Sequence, residues 1–251
     1  MKKIVSLFVL TLTILTQPLF ASSLQKETPK QTAARMKWWT DAKFGLFIHW
    51  GPSSLTGQEI SWSRKSDPNQ QGNQIWKNLH GKIPTQKYDN LYKQFNPVNF
   101  DPDRWCTIAK NAGMKYIVFT TKHHDGFCMF DPKNTDYKIT SPQSPYQKDI
   151  TKLLADAARK NGLKIGFYYS QPDWHHPDYF NGDNHQHYVD YFHSQIRQLL
   201  TDYGKVDILW FDGLGVPAED WKAKKLFSMI RNLQPEIIIN NRADLPADFD
   251  T

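Results

Sequence analysis

A helix pattern followed by an apolar strand pattern occurs four times between residues 101 and 242, and this repetition constrains the fold most. Helices are predicted at 101–113, 149–161, 188–203 and 221–232, and strands at 116–121, 163–170, 206–213 and 237–242. Upstream, the patterns predict a helix at 32–41, a buried strand at 43–52 and a helix at 88–95. Because consecutive parallel strands need a crossover connection, this alternation predicts a parallel α/β sheet.

Polar side chains lie at or near the carboxyl ends of five successive predicted strands. They are His49, His123 with His124, Tyr168, Asp212 and Arg242. A (β/α)₈ barrel gathers chemistry from many strand ends onto one face, whereas an open doubly wound sheet concentrates its site at one switch point. No GxGxxG or GxxxxGK phosphate loop follows any strand. We therefore predict a (β/α)₈-type barrel, of which this chain holds about five to six strand-helix units.

The apolar segment 206–213 predicts a buried strand that carries a carboxylate to the rim of the sheet. Side chains alternate along a strand. One side then holds Ile208, Trp210 and Asp212, and the other holds Asp207, Leu209 and Phe211. An aromatic platform and a carboxylate thus face the same way, which suits a sugar site. The alternative is that Asp212 caps the following helix.

The N-terminus has the pattern of a secretory signal peptide, predicted at residues 1–21. Lys2 and Lys3 precede an apolar run from 4 to 15, and small residues follow at 21–23. The run is short for a membrane span, so we expect no stable membrane insertion after cleavage and a secreted or periplasmic protein. An uncleaved anchor is the alternative. Residues 24–33 are polar and predict a mobile lead-in.

Charge and cysteine content exclude some classes of protein. Cleavage at residue 21 would remove two lysines and no acids from a net charge of +6, leaving +4. Lysines and arginines are interspersed with acids, so nucleic-acid binding is not expected. Cys106 and Cys128 do not form a disulfide framework, and we predict ordinary buried residues while their pairing stays open.

Several motifs, in order, resemble the α-L-fucosidases of glycoside hydrolase family 29. They lie at 36–51, 95–101, 122–127, 166–170 and 210–213, and the likeness extends from about residue 34 to 243. The resemblance implies a (β/α) barrel catalytic domain followed by a β-sandwich domain. It also implies a retaining hydrolase that removes terminal α-L-fucosyl residues from fucosylated glycans or glycoconjugates and requires neither a metal nor an organic cofactor.

The same resemblance assigns roles to individual residues. Asp212 matches the family's nucleophile. The residues that match the fucose pocket are His49, His123, His124, Tyr168, Trp210 and Arg242, with Trp62 on the first long loop. Imidazole, phenol and guanidinium groups bind sugar hydroxyls directionally. Since adjacent side chains on a strand point oppositely, His123 and His124 reach one ligand only if the strand bends or ends there.

A metal site is the chemical alternative, because His49, His123 or His124 with Asp212 would be ordinary zinc ligands. No HExxH motif supports it, and we predict no metal. The segment with Asp173, His175 and His176 predicts a polar loop over the site without a catalytic role.

One element of the family pattern has no match. Retaining glycosidases need two carboxyl groups about 5 Å apart, and family members carry the acid/base glutamate beyond the strand that ends in Arg242. Here only Asp244, Asp248 and Asp250 follow, in a tail without a motif that ends at Thr251. We therefore expect residues 22–251 to be the N-terminal portion of a catalytic domain, without the rest of the barrel and the β-sandwich. The alternative is a non-catalytic fucose-binding protein or an inactive remnant.

Overall fold

The computed structural model describes residues 27–66, 81–213 and 215–251, so the predicted signal peptide lies outside the described residues. The helices are α1 (Pro29–Ala42), α2 (Thr85–Asp89), α3 (Pro102–Asn111), α4 (Ile150–Lys160), α5 (His185–Asp202) and α6 (Ala223–Leu233). The strands are β1 (Leu46–Ile48), β2 (Tyr116–Lys122), β3 (Lys164–Tyr169), β4 (Ile208–Phe211) and β5 (Ile238–Ile239). Short 3₁₀ helices span Pro52–Thr56 and Leu91–Lys93.

The five strands form one parallel sheet in the order β1-β2-β3-β4-β5. Each strand pairs with the next one in the sequence, with helices between them. A doubly wound sheet would instead reverse its strand order at a switch point. The order confirms the predicted α/β architecture, with five parallel strands that alternate with helices along one arc of a (β/α) barrel.

The two faces of the sheet carry two separate apolar clusters. Val118, Tyr168, Ile208 and Ile238 form one with Trp210, while Phe119, Phe167, Leu209 and Phe211 belong to the larger cluster that the helices cover. This is the predicted alternation along β4, which turns Trp210 to the inner face and Leu209 to the helices. The carboxyl end of the inner face is therefore where Asp212 emerges.

Helix α1 starts earlier than predicted, so the expected mobile lead-in is wrong for residues 28–33. Thr28 and Gln31 form a capping box, in which each side chain satisfies a backbone amide of the other. Near the C-terminal end of the helix, Trp39 packs on Tyr116 and on Phe249, with ring centroids 4.9 Å apart in both pairs. Helix α1 thus covers the amino-terminal end of the inner face.

Two other predicted elements differ from the structure. Strand β1 has three residues and is not buried, since Phe47 is 40% exposed at the edge of the sheet. The helix predicted at 88–95 is α2 followed by a 3₁₀ turn, because Asn90 leaves regular helical geometry (φ −101°, ψ 0°). The side chains that predicted it are nevertheless buried: Tyr88, Leu91, Tyr92 and Phe95.

Cys106 and Cys128 are both buried, as predicted, and both are free thiols. Burial raises the pKa of Cys106 to about 11. Between residues 27 and 251, leaving aside 67–80 and 214, no helix has the length and apolar character needed to cross a bilayer.

Candidate active site

Asp212 is the first residue after β4. The Gly213 amide donates to the Arg242 carbonyl at 3.1 Å, and a Cβ on Gly213 would lie 2.4 Å from that oxygen. Gly213 therefore permits a close approach between the segments after β4 and β5. This contact brings the side chains of Asp212 and Arg242 together.

The Asp212 carboxylate binds side chains from both neighbouring strands. Tyr168 Oη donates to Oδ2 at 2.8 Å, and Arg242 Nη2 donates to Oδ1 at 2.8 Å. The carboxylate remains 15% exposed, while the Arg242 side chain is 42% exposed. Helix α6 begins at Ala223, eleven residues further on, so Asp212 is not in the N-cap position of the next helix. The Asp212 carboxylate is therefore oriented by two hydrogen bonds and remains accessible to a ligand.

Aromatic rings and an imidazole line the inner face beside Asp212. Trp210 packs against Phe47 with ring centroids 4.9 Å apart, and His49 lies 5.2 Å from Tyr168. His49 follows β1 directly, and removal of water from its ring lowers its pKa against the opposing attraction of Asp212. These rings form an amphipathic wall of the kind that stacks on a sugar face.

His123 and His124 both face the site because β2 ends at Lys122, after a register shift between Thr120 and Lys122. Their ring centroids are 4.2 Å apart, and His123 stacks on Tyr168 at 5.3 Å. Strand β2 therefore ends just before the two histidines, which is the condition under which both can reach one ligand. Burial lowers the pKa of each imidazole well below its usual range, so both are neutral at pH 7.

Two serines hold these histidines, and sequence reasoning assigned them no role. Ser61 Oγ lies 2.6 Å from His123 Nδ1, and Ser170 Oγ lies 2.6 Å from His124 Nδ1. Ser170 ends the motif at 166–170, which was the available signal for it. Ser61 lies on the long loop after β1 and had no such signal.

The first long loop also brings Trp62 to the site. Its ring is 5.3 Å from His124 and 5.1 Å from Trp174, another residue that the sequence reasoning did not single out. All eight predicted site residues therefore converge at the carboxyl end of the sheet. They are His49, Trp62, His123, His124, Tyr168, Trp210, Asp212 and Arg242.

The expected polar loop over the site is only partly polar and exposed. Asp173 is buried below it, where its carboxylate accepts the His175 and His176 amides and pairs with Lys122 Nζ at 3.3 Å. Burial raises the pKa of Asp173, but Lys122 and the two histidines outweigh that effect and lower it overall. The His175 ring stacks on Tyr137 at 3.9 Å.

Four other carboxylates accept hydrogen bonds from donors that do not bind Asp212. Tyr88 donates to Asp125, the Ala218 amide to Asp244, Asn241 to Asp250, and Arg35 and Arg231 to Asp248. Within the described ranges, no three His, Cys, Asp or Glu side chains are grouped to hold a metal ion. The Asp212 carboxylate lies among aromatic rings and side chains that can bind hydroxyl groups. This combination suits an uncharged polyol as ligand.

The fold is that of a (β/α)-barrel protein, and the candidate site lies at the carboxyl ends of its strands, where such proteins carry their active sites. A sequence profile of the Alpha-L-fucosidase family matches residues 13–248, and the chain belongs to that family.

Relatives with curated functions agree with this assignment. Tissue alpha-L-fucosidase of Mus musculus is 31% identical over 216 residues, which are 82% of this chain and 47% of the mouse protein. The Homo sapiens enzyme is 31% identical over 215 residues, or 82% and 46% of the two chains. The chain thus spans about half the length of the curated relatives it matches.

Solved structures also resemble it. Alpha-L-fucosidase isoenzyme 1 from Paenibacillus thiaminolyticus has a TM-score of 0.70 and 40% identity, covering 84% of this chain and 51% of that one. Alpha-L-fucosidase AlfC from Lactobacillus casei, solved with alpha-L-fucose product, has a TM-score of 0.65 and 33% identity, covering 83% and 71%.

Proposed function

We propose that the intact protein is an exported, retaining α-L-fucosidase in which Asp212 is the nucleophile. The observation that carries this proposal is the placement of the Asp212 carboxylate, which Tyr168 and Arg242 hold at 2.8 Å beside the ring of Trp210. Family membership supports it, as does the L. casei relative, a variant of which was solved in complex with Fuca(1,6)GlcNAc.

The mechanism is a double displacement. An Asp212 oxygen attacks the anomeric carbon, the bond to the leaving oxygen breaks with its electron pair, and a general acid protonates that oxygen. Water then attacks the glycosyl-enzyme and gives up its proton to the same group, which releases fucose and Asp212. Tyr168 and Arg242 each donate to a different carboxylate oxygen, so they fix the attack geometry.

The general acid must be a second carboxyl group about 5 Å from Asp212. The carboxylates of Asp125, Asp173, Asp244, Asp248 and Asp250 are bound elsewhere. We place the acid/base, together with the rest of the barrel and the β-sandwich domain, in the half of the protein's length that the relatives have and this chain does not. The remaining pocket groups bind the sugar hydroxyls.

Export is part of the proposal. Residues 1–21 have the pattern of a signal peptide, so the mature protein starts near Ser22 and acts in the periplasm or outside the cell. N-terminal sequencing of the protein recovered from cell fractions tests this. A cytoplasmic protein that retains Met1 would contradict export without bearing on the chemistry.

A glycosyl fluoride tests the nucleophile without the acid/base, because fluoride leaves without protonation. We expect 2-deoxy-2-fluoro-α-L-fucosyl fluoride to add one fluorofucosyl group to the protein, on the peptide that contains Asp212. Asp212→Asn should abolish labelling, whereas Asp250→Asn, which alters an exposed tail carboxylate, should not. Fucose binding without any labelling would favour the alternative, a non-catalytic fucose-binding protein.

A further inference from the structure

The hydrogen-bonding partners of His124 define which of its nitrogens carries hydrogen. Ser170 Oγ lies 2.6 Å from His124 Nδ1 and 2.8 Å from the Pro172 carbonyl oxygen. A hydroxyl has one hydrogen, and a carbonyl oxygen only accepts. Since two oxygens at 2.8 Å repel unless a hydrogen lies between them, Ser170 donates to Pro172. The His124 contact is then a hydrogen bond only if Nδ1 donates to Ser170.

Buried groups hold this arrangement in place. Lys122 Nζ also donates to the Pro172 carbonyl, at 3.1 Å, and to Asp173 Oδ2 at 3.3 Å. Lys122, Ser170 and Asp173 are each at most 1% exposed, so water does not compete for these bonds. The carbonyl that receives the Ser170 hydrogen is therefore fixed.

His124 carries one hydrogen, not two. Its ring is 1% exposed, and burial lowers its pKa well below the usual range, an effect that Lys122, His49 and Arg242 reinforce. Asp212 Oδ2 lies 3.6 Å from the other ring nitrogen, Nε2. That separation exceeds a hydrogen bond, as expected for a lone pair facing a carboxylate.

We propose that Ser170 is a positioning residue that fixes His124 in the Nδ1–H tautomer, so that Nε2 must accept a hydrogen bond from a substrate hydroxyl. This inference rests on the proposed function for the identity of the ligand, a sugar, while the tautomer itself does not. The site then demands an O–H donor at one ring position beside Asp212.

The neighbouring histidine provides a matched comparison. Ser61 Oγ contacts His123 Nδ1 at 2.6 Å but accepts the Asp125 amide at 2.8 Å, so its own hydrogen remains available for the imidazole. Ser61 is therefore compatible with either tautomer of His123. Of the two Ser–His contacts, that of Ser170 imposes one tautomer.

The tautomer is measured by ¹⁵N NMR of protein labelled at histidine, with His124→Gln used to assign the signals. We expect His124 to show a protonated Nδ1 and an unprotonated Nε2 from pH 6 to 8. Ser170→Ala should shift it toward the Nε2–H form with Asp212 as acceptor, and Ser170→Thr should restore the original signals. Ser61→Ala should leave the His124 signals unchanged. An Nε2–H form in the unaltered protein would overturn the proposal even if the variants do not fold.

The hydroxyl requirement is measured with fucose analogues in which one ring hydroxyl is replaced by fluorine, which cannot donate. One of them should bind at least about ten-fold more weakly than fucose, and Ser170→Ala should reduce that loss. Equal binding of all analogues would overturn the acceptor role of Nε2. If fucose itself does not bind while the Nδ1–H form is observed, the proposed function fails and the tautomer stands.

Discussion

Replacing Asp248 with asparagine tests how α1 and α6 are joined to the end of the sheet. The carboxylate is 6% exposed, pairs with Arg35 at 2.7 Å and with Arg231, and accepts the Ile239 amide at 2.8 Å. Asparagine keeps an acceptor for that amide but removes the charge between two guanidinium groups. The sequence analysis assigned this residue no role.

The expected loss follows from what the two arginines retain. Removing one partner of a buried ion pair costs about 3–5 kcal/mol. Arg35 keeps Glu27 at 2.8 Å, and Arg231 is 22% exposed and keeps the Ile237 carbonyl. We therefore expect Asp248→Asn to lower the free energy of unfolding by about 2–3 kcal/mol at pH 7, below that range.

The loss should depend on pH with a defined sign. Burial raises the pKa of Asp248, but hydrogen bonds and charge from Arg35 and Arg231 outweigh it, so the pKa in the folded protein is lowered. A lowered carboxyl pKa adds stability that is complete above the unfolded value, about 3.9, and disappears as pH falls through the folded value. The difference between protein and variant should be constant from about pH 5 to 8 and shrink below about pH 4.

Urea unfolding followed by tryptophan fluorescence measures this difference. The control is Asp250→Asn, since Asp250 is exposed and its carboxylate accepts a hydrogen bond from the Asn241 side chain at 2.8 Å. We expect the control to stay within about 0.5 kcal/mol of the unaltered protein. An equal, small effect of both substitutions, or a loss at Asp248 that is as large at pH 3 as at pH 7, would refute the ionic link from Asp248 to Arg35 and Arg231.

Two further predictions concern the site and the loop below it. In the intact enzyme, Asp212→Gly should abolish turnover of α-L-fucosides, and azide or formate should restore part of it, because only the attacking oxygen is missing; near-normal turnover without an added anion would exclude the nucleophile role. Gly126→Ala should destabilise the protein by about 3 kcal/mol, because φ is +83° and the new Cβ would lie 2.2 Å from Asp173 Oδ1. The control Gly57→Ala also has a positive φ (+62°) but places its Cβ in open space, so it should cost about 1 kcal/mol in the same unfolding assay.

Features that follow from local periodicity were predictable from the sequence. Alternation along β4 put Trp210 and Asp212 on one face, and the run of parallel strands brought Tyr168 and Arg242 to the same rim. Each of these conclusions needs only the strand period and the sheet direction. The sequence alone therefore predicted which side chains lie at the carboxyl end of the sheet, without knowledge of their contacts.

Contacts that depend on the path of loops were not predictable. Ser61 reaches His123 across 62 residues, and Lys122 reaches Asp173 across 51. Asp248 looked like an unremarkable acid in a polar tail because its partner Arg35 is 213 residues away. The exposure of β1 was missed for a related reason, since an apolar run does not reveal whether its strand lies at an edge.

These long-range pairs also determine which ligands suit the site. Arg242 is paired with Asp212 and Lys122 with Asp173, while burial keeps His123 and His124 neutral. The described charges around the carboxylate therefore nearly cancel, so a phosphate or carboxylate ligand would find no unpaired cation among them. A neutral sugar needs none: it requires donors such as the other N–H groups of Arg242, an acceptor such as His124 Nε2, and an aromatic face such as Trp210. Because these groups are held in place by hydrogen bonds and ring packing, hydroxyl orientation rather than charge should govern what binds beside Asp212.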